Sequence, residues 1–249
     1  MKLQIFLQKS GVASRRKCAE YIENNKVKVN GETIDVFWYE VDPFNDVVEY
    51  EGKKLSLIVG KKYYLFNKPE GYICANSDPF KSKTIFDYIR EKYGIMDNLH
   101  SVGRLDKNTS GLIILTNDGY LTNKIIHPGN KIDKLYLATV KGTISDIEKK
   151  EFETGLLIDN EYTTSPAKLD IIRILKNNNS VIEITIHEGR KRQVRLMCKA
   201  VGHEVISLKR LKIGCLDLSS INKTGDIIEI KEEQIYSRMG FDMKGRCSK

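Results

Sequence analysis

The segment GRLDKNTSGLIILTNDG, residues 103–119, joins a polar loop to a run of aliphatic side chains. The carboxylate of the loop, Asp106, lies two residues after Arg104 and is followed by small and hydroxyl residues. The run GLIILT has the composition of a buried strand, so the loop is expected at a sheet edge, where functional side chains are common. An aspartate in such a loop often only caps a turn, and the segment by itself leaves both roles open.

The composition of the whole chain favours an anionic partner. The chain has 249 residues, 41% of them hydrophobic, and a formal net charge of +8. This length holds one large domain or two modest ones. A basic surplus suits a nucleic acid, although an inert basic surface would give the same charge.

The cysteine and histidine positions argue against a metal site. No Cys-x-x-Cys pair occurs, since the cysteines stand at positions 18, 74, 198, 215 and 247, and the four histidines show no ligand spacing. The opening MKLQIFLQKSGVASRRK is too charged for a signal peptide, and no run of about 18 apolar residues exists. We therefore expect a cytoplasmic protein without metal or membrane span.

Residues 1–60 are expected to form a small first domain. Leu3, Phe6 and Leu7 repeat at helical spacing, and Ser14 is a good N-cap for a second helix, RRKCAEYIENN. Asn30-Gly31 between two alternating segments predicts a hairpin. A further strand pair is expected in DVVEYEGKKLSL.

The segment LQKSGVASRRKCAEYIENNKVKVNGETI resembles the S4 RNA-binding domain. Three basic residues at the start of a helix oppose the helix dipole, and an RNA backbone would give them a purpose, although a solvated charge run is equally common. The resemblance implies RNA contacts from Arg15, Arg16, Lys17, Lys26 and Lys28.

From about residue 61 the pattern changes to strands interrupted irregularly by helices. We predict an α+β domain over 61–236 with a mixed, largely antiparallel sheet flanked by helices and loops, followed by a loose basic tail over 237–249. Helices are predicted in TIFDYIREKYG, YLTNKIIH, SDIEKKEFETGL and RKRQVRLMCKAVGH. In the last of these, a spacing of three would put Arg192 and Arg195 on one face.

Four motifs in order resemble those of the bacterial ribosomal RNA pseudouridine synthases that carry an S4 domain. They are NKPEG, GRLDKNTSG, the Lys-Leu-Tyr of residues 134–136, and EGRKRQVRLM with the later VGHEVISLKRLKIG. The resemblance implies isomerisation of uridine to pseudouridine within folded RNA, with no metal or organic cofactor. The motifs are closer to the large-subunit type than to the small-subunit type, which implies 23S rRNA as substrate and leaves 16S rRNA as the alternative.

The resemblance also assigns roles to individual residues. Asp106 would be the catalytic carboxylate, Tyr136 would lie against the uracil, and Arg195 would be the cation paired with Asp106. The remaining expectations concern RNA: Arg104 would fill the space of the extruded base, and Arg190 and Arg192 would contact phosphates. Lys68 would shape the wall of the site. Leu196 follows Arg195 where many relatives have a second arginine, which removes one RNA contact.

Two other functions compete with catalysis on uridine. A non-catalytic RNA-binding, ribosome-assembly factor would be expected to lack Asp106, Tyr136 or Arg195, and all three are present. An RNA hydrolase or nuclease would want paired carboxylates with a metal, or a histidine pair. The expected partner is ribosomal RNA or a ribosomal assembly intermediate, and the expected state is a monomer.

Overall fold

The computed structural model describes residues 1–57, 60–76, 78, 80–95, 98–159 and 161–241. The chain divides into two compact units, Met1–Gly60 and Lys61–Lys249.

The first unit packs two helices with a small sheet. The helices are α1 (Leu3–Lys9) and α2 (Arg15–Glu23), and the strands are β1 (Val27–Val29), β2 (Glu32–Thr33), β3 (Val48–Tyr50) and β4 (Lys53–Lys54), in the order β2-β1-β3-β4. The Ser14 hydroxyl accepts a hydrogen bond from the Lys17 amide, as expected of an N-cap. Asn30 and Gly31 both have positive φ and connect β1 to β2 as the predicted hairpin.

The second unit contains the remaining helices and strands. Its helices are α3 (Ile85–Tyr93), α4 (Gly119–Ile126), α5 (Asp146–Thr154), α6 (Gln193–Ala200) and α7 (Glu232–Arg238), with a 3₁₀ turn at Pro128–Asn130. Its strands are β5 (Tyr63–Lys68), β6 (His100–Ser101), β7 (Ser110–Thr116), β8 (Lys134–Val140), β9 (Leu157–Ile158), β10 (Tyr162–Thr163), β11 (Lys168–Ile174), β12 (Ser180–Ile186), β13 (Val205–Ile213), β14 (Leu216–Asp217) and β15 (Ile227–Glu229).

One large sheet organises this unit. Its main order is β11-β12-β8-β13-β7-β5-β15, with β6 paired to β7 and β14 paired to β13. Of the described pairings in this sheet, that of β13 with β7 is parallel and the others are antiparallel. The prediction of an α+β fold with a mixed, largely antiparallel sheet is therefore confirmed.

Strands β5 and β7 are buried on both faces of the sheet. Along β7, Leu112 and Ile114 belong to one apolar cluster, whereas Ile113 and Leu115 belong to the cluster on the opposite face. Strand β5 alternates in the same way. A strand buried on both faces reads as a continuous apolar run, which is why GLIILT lacks alternation.

Two local predictions are wrong. The last predicted helix begins at Gln193 rather than Arg190, because Arg192 is left-handed, with φ 55°, and the Gln193 amide closes a turn onto the Arg190 carbonyl. Arg192 and Arg195 therefore do not share a helix face. The predicted loose tail begins too early, at residue 237, since α7 runs to Arg238 and Phe241 is buried. Residues 242–249 of that predicted tail lie outside the described residues.

Candidate active site

A cavity of about 1190 Å³ opens in the second unit. Its apolar lining comes from both core clusters, and Asp106 and Tyr136 both line it. Among the described lining residues, eight are arginine or lysine and two, Asp106 and Glu188, are carboxylic acids. A cavity of this size and charge suits an anionic ligand as large as a nucleotide.

The carboxylate of Asp106 is half-buried and has no internal partner. Among the described residues, no hydrogen bond or ion pair involves this side chain, whereas its own carbonyl accepts from the Thr109 amide at 3.1 Å and closes a turn. The aspartate thus does not cap the turn with its side chain, which was the competing interpretation of the sequence. A carboxylate left unpaired beside a cavity is available to a ligand.

Lys68 fixes the loop that carries Asp106. Its side chain is fully buried, at the end of β5, and its Nζ donates to the carbonyls of Thr109 at 2.8 Å and Asp106 at 3.2 Å. It also reaches the carbonyls of Pro69 and Lys107. Burial lowers the pKa of this lysine. Four carbonyls gathered on one ammonium hold the loop rigidly, so Lys68 positions Asp106.

Arg195 contributes to the same loop in a way that differs from expectation. Its Nη2 donates to the Asn108 carbonyl at 2.6 Å and its Nη1 to the Val205 carbonyl at 3.0 Å. The expected ion pair between Asp106 and Arg195 is absent from the structure. Burial and the charge of Arg192 lower the pKa of Arg195, and the charge of Asp106 opposes them. The guanidinium is therefore near Asp106 but holds its loop through backbone.

Tyr136 lies on β8 with its side chain 8% exposed, and it lines the cavity. Its strand neighbours are Ile184 on β12 and Arg210 on β13. A tyrosine ring at the edge of an apolar cluster and a cavity offers a face on which a planar base can stack.

Gly111, which ends the Thr-Ser-Gly of the motif, sets the spacing between β7 and β13. It has φ +107°, and a β-carbon at this position would overlap the backbone of Arg210. Only glycine allows both the backbone angle and the close approach. The parallel pairing of Gly111 with Arg210 brings the Asp106 loop next to the strand that lines the cavity.

The second carboxylate of the cavity, Glu188, is saturated with hydrogen bonds. Its Oε1 accepts from the Tyr162 and Ser165 hydroxyls at 2.6 and 2.7 Å, and its Oε2 accepts from the Gln193 amide nitrogen at 2.6 Å. Burial would raise the pKa of Glu188, but these donors hold it below its usual range. Glu188 therefore stabilises the loop before α6 and does not form a free acid pair with Asp106.

The predicted RNA-contacting residues of this unit surround the cavity. Arg104, Arg190 and Arg192 are exposed and line it. The Arg190 guanidinium carbon lies 3.2 Å from the centre of the Tyr162 ring, which orients it by a cation–π contact.

The basic residues of the first unit lie on its surface. Arg15, Arg16 and Lys17 are exposed in the first turn of α2, and Lys28 is exposed on β1. Lys26 is paired with Glu51 at 2.8 Å, so its charge is partly neutralised. The other four predicted RNA contacts of this unit take part in no ion pair among the described residues, which leaves their charge available to a phosphate backbone.

The residues that sequence reasoning missed are Glu188 as a positioning group, Lys134 and Arg210. Arg210 is 3% exposed and lines the cavity on β13. A charged residue among the aliphatics of VISLKRLKI was the available signal. Two register shifts along β13 break the alternation that would have assigned its face.

The described residues contain no group of three or more metal-ligating side chains suited to a metal ion. Within the same part of the chain, no helix combines the length and apolar character needed to cross a membrane.

Comparisons with known families agree with the two units. Residues 62–200 match the RNA pseudouridylate synthase family, and residues 1–48 match the S4 domain. The fold and the site thus define a pseudouridine synthase with an S4 domain. The chain belongs to the RNA pseudouridylate synthase family, and the resemblance seen in the sequence is confirmed.

Individual relatives cover nearly the whole chain. The ribosomal large subunit pseudouridine synthase B of Bacillus subtilis (strain 168) is 40% identical over 94% of this chain and 93% of the relative. The ribosomal small subunit pseudouridine synthase A of Escherichia coli (strain K12) is 33% identical over 95% of this chain and 99% of the relative. A crystal structure of a pseudouridylate synthase matches with a TM-score of 0.67 and 30% identity, covering 96% of this chain and 99% of the other.

Proposed function

We propose that this enzyme converts uridine to pseudouridine in ribosomal RNA, with Asp106 as the catalytic carboxylate. In the reaction the N1–C1′ bond breaks, the base turns, a C5–C1′ bond forms, and the C5 proton is exchanged for one on N1. Nothing is oxidised, and atoms balance without a co-reactant. The observation that carries the proposal is the unpaired Asp106 carboxylate, held on a fixed loop beside a basic cavity.

A single free carboxylate suits this reaction. Glycoside hydrolysis uses two carboxyl groups because one must activate water, whereas here the departing base is itself the incoming nucleophile. Glu188, the other acid of the cavity, is engaged by three hydrogen bonds. This arrangement favours isomerisation over the hydrolase alternative.

The uridine enters the cavity extruded from its RNA. Extrusion costs a few kcal/mol, and stacking on Tyr136 returns about 1–3 kcal/mol. Arg104, which is exposed and lines the cavity, is suited to fill the space that the base leaves. Arg190 and Arg192 are suited to bind flanking phosphates. Arg195 supports catalysis by fixing the Asp106 loop and by its positive charge.

Large-subunit rRNA is the proposed target. The identity to the large-subunit enzyme, 40%, exceeds that to the small-subunit enzyme, 33%, at similar coverage. The motifs ASRRK, TNDG and the Glu-Gly-Arg segment favour the same assignment. The S4 unit would contribute salt-dependent binding through its exposed cations.

The test is chemical mapping of pseudouridine in 23S and 16S rRNA from cells that lack this gene. We expect a pseudouridine to disappear from 23S rRNA and to return with the wild-type gene. Loss of a site in 16S rRNA alone would make the small-subunit assignment correct. An unchanged map in both RNAs would contradict the proposed function.

A binding experiment tests the S4 unit. The double variant Arg15→Ala, Arg16→Ala should weaken binding to the rRNA fragment. It should also make the negative slope of log K against log salt shallower by about 1–2. Lys150→Ala, on the exposed face of α5, is the control. An unchanged slope would contradict the role given to these arginines.

A further inference from the structure

Arg210 is a buried cation to which the proposed function assigns no role. Its side chain is 3% exposed, it lines the cavity, and it is the direct strand neighbour of Tyr136. Paired residues in an antiparallel sheet project on the same face. A base stacked on Tyr136 would therefore lie beside the Arg210 guanidinium.

The donors of Arg210 are only partly used. Its Nε donates to the Leu112 carbonyl at 2.8 Å, which orients the guanidinium. Its Nη2 is buried and has no hydrogen-bond partner among the described residues, and none of their ion pairs includes Arg210. A buried charged donor is normally satisfied, because leaving it unpaired is strongly unfavourable. Such an exception in a cavity points to a ligand acceptor.

Lys134 adds a second cation at the same place. It lines the cavity and donates to the carbonyls of Ile132 and His187 at 2.9 and 2.8 Å. Burial and the charge of Arg210 lower its pKa to about 8. No ion pair of the described residues includes Lys134 or Arg210. These two neighbouring cations give this wall of the cavity a positive potential, which favours negative charge on whatever lies against it.

We propose that Arg210 is a further catalytic residue, whose Nη2 donates to a carbonyl oxygen of the extruded uracil and stabilises the negative charge that the base acquires during the reaction. This role rests on the proposed function. When the N1–C1′ bond breaks, its electron pair stays with the base and is delocalised onto O2 and O4. The charge is neutralised when C5 bonds to C1′. The C5 proton then leaves, and a proton is taken up at N1. A donor fixed in advance at such a position stabilises the transition state more than the neutral base.

Leaving-group chemistry separates this role from simple binding. Fluorine at C5 withdraws electrons, so the anion of 5-fluorouracil is more stable and needs less help from a donor. We would measure single-turnover disappearance of the N1-linked nucleoside at saturating enzyme, with rRNA fragments that carry uridine or 5-fluorouridine at the target. The variants are Arg210→Met and Arg210→Lys, and Lys212→Met, exposed on the same strand, is the control.

The expected result is a rate on uridine about 10²–10³-fold lower in Arg210→Met, with a smaller loss on 5-fluorouridine and wild-type RNA affinity. The rate of Arg210→Lys on uridine should fall between those of wild type and Arg210→Met, and the rate of Lys212→Met should match wild type. The ratio of the two substrate rates within one variant does not depend on how much of it is folded, so poor folding would not hide the effect.

Two results would overturn the role of Arg210. Equal losses on both substrates would exclude stabilisation of the leaving base. Weaker RNA binding with an unchanged saturating rate would make Arg210 a phosphate contact. Both outcomes keep wild-type activity intact, whereas a wild-type enzyme inactive on the uridine RNA would reject the proposed function and the Arg210 role with it.

Discussion

Strand β7 has an aspartate on either side of it, and their surroundings are opposite. Asp106, in the loop before the strand, is half-buried, and no described residue pairs with its carboxylate. Asp118, after the strand, is 5% exposed and accepts from the Tyr63 and Tyr236 hydroxyls at 2.9 and 2.8 Å. It also pairs with Lys61 at 3.1 Å and caps α4 through the Tyr120 and Leu121 amides.

The comparison separates the carboxylate that we propose as catalytic from a structural one. Every acceptor site of Asp118 is directed at a group of the protein, so this side chain ties β5, α4 and α7 together. Around Asp106, in contrast, Lys68 and Arg195 donate hydrogen bonds to backbone carbonyls of the loop, and the carboxylate itself has no partner among the described residues. A free group on a rigid support is the arrangement that catalysis requires.

The largest expected effect is on the activity of Asp106→Asn. Loss of the carboxylate should abolish restoration of the missing pseudouridine in cells that lack the gene, since removing a catalytic acid or base lowers rates by about 10²–10⁴-fold. The melting temperature should stay close to wild type, because the change removes no hydrogen bond or ion pair to a described residue. Full restoration by the variant would mean that Asp106 is not catalytic.

Lys68→Met tests the support of Asp106, the proposed catalytic carboxylate. The change keeps the side-chain length but leaves four carbonyls without their ammonium, which should lower the free energy of unfolding by about 3 kcal/mol. Conversion per folded molecule should fall as well, because the Asp106 loop loses its anchor. Urea unfolding gives the free energy of unfolding, and single-turnover rates give the conversion per folded molecule. Lys150→Met, at an exposed lysine, is the control. A variant with wild-type stability and the wild-type rate would show that Lys68 does not support the Asp106 loop.

Asp118→Asn should affect stability rather than catalysis. The amide keeps the shape but loses charged hydrogen bonds to two tyrosines and a lysine, so we expect a loss of about 2 kcal/mol in the free energy of unfolding. Conversion per folded molecule should remain that of wild type. Asp133→Asn, at an exposed aspartate, should change neither quantity. A large rate loss in folded Asp118→Asn would blur the distinction between the two carboxylates.

A smaller effect is the pH dependence of that stability difference. Burial would raise the pKa of Asp118, but the donors from Tyr236, Lys61 and Tyr63 outweigh it and lower the pKa. A folded-state pKa below the unfolded value gives stability that is present above the unfolded pKa and is lost as pH falls through the folded one. The free energies of unfolding of wild type and Asp118→Asn should therefore differ by a constant amount near neutral pH, and the difference should shrink as the pH falls. A gap that widens in acid would contradict the assigned shift.

Local signals predicted much of this fold. Caps, glycines and turn residues act within a few positions, so Ser14, the Asn30-Gly31 hairpin, and Gly94 at the end of α3 could be inferred directly. The family motifs likewise indicated Asp106 and Tyr136, and the structure brings both to one cavity. The prediction of the first residue of α6 was wrong, because helical periodicity carries no information on the left-handed backbone of Arg192.

What the sequence could not predict depends on distant partners. The tyrosine that completes the Asp118 cluster comes from 118 positions further along the chain. Lys68 finds the Asp106 and Thr109 carbonyls 38 and 41 positions away. Arg195 forms no ion pair with Asp106 because its guanidinium donates to the Asn108 and Val205 carbonyls. No pattern in the motif predicts these two hydrogen bonds.

The most direct measurement compares the two aspartates in one assay. Purified Asp106→Asn and Asp118→Asn would be mixed in excess with an rRNA fragment containing the target uridine, and single-turnover conversion would be related to the folded fraction of each. We predict conversion at the wild-type rate by folded Asp118→Asn and a rate at least about 10²-fold lower for fully folded Asp106→Asn. Conversion at the wild-type rate by Asp106→Asn would contradict it.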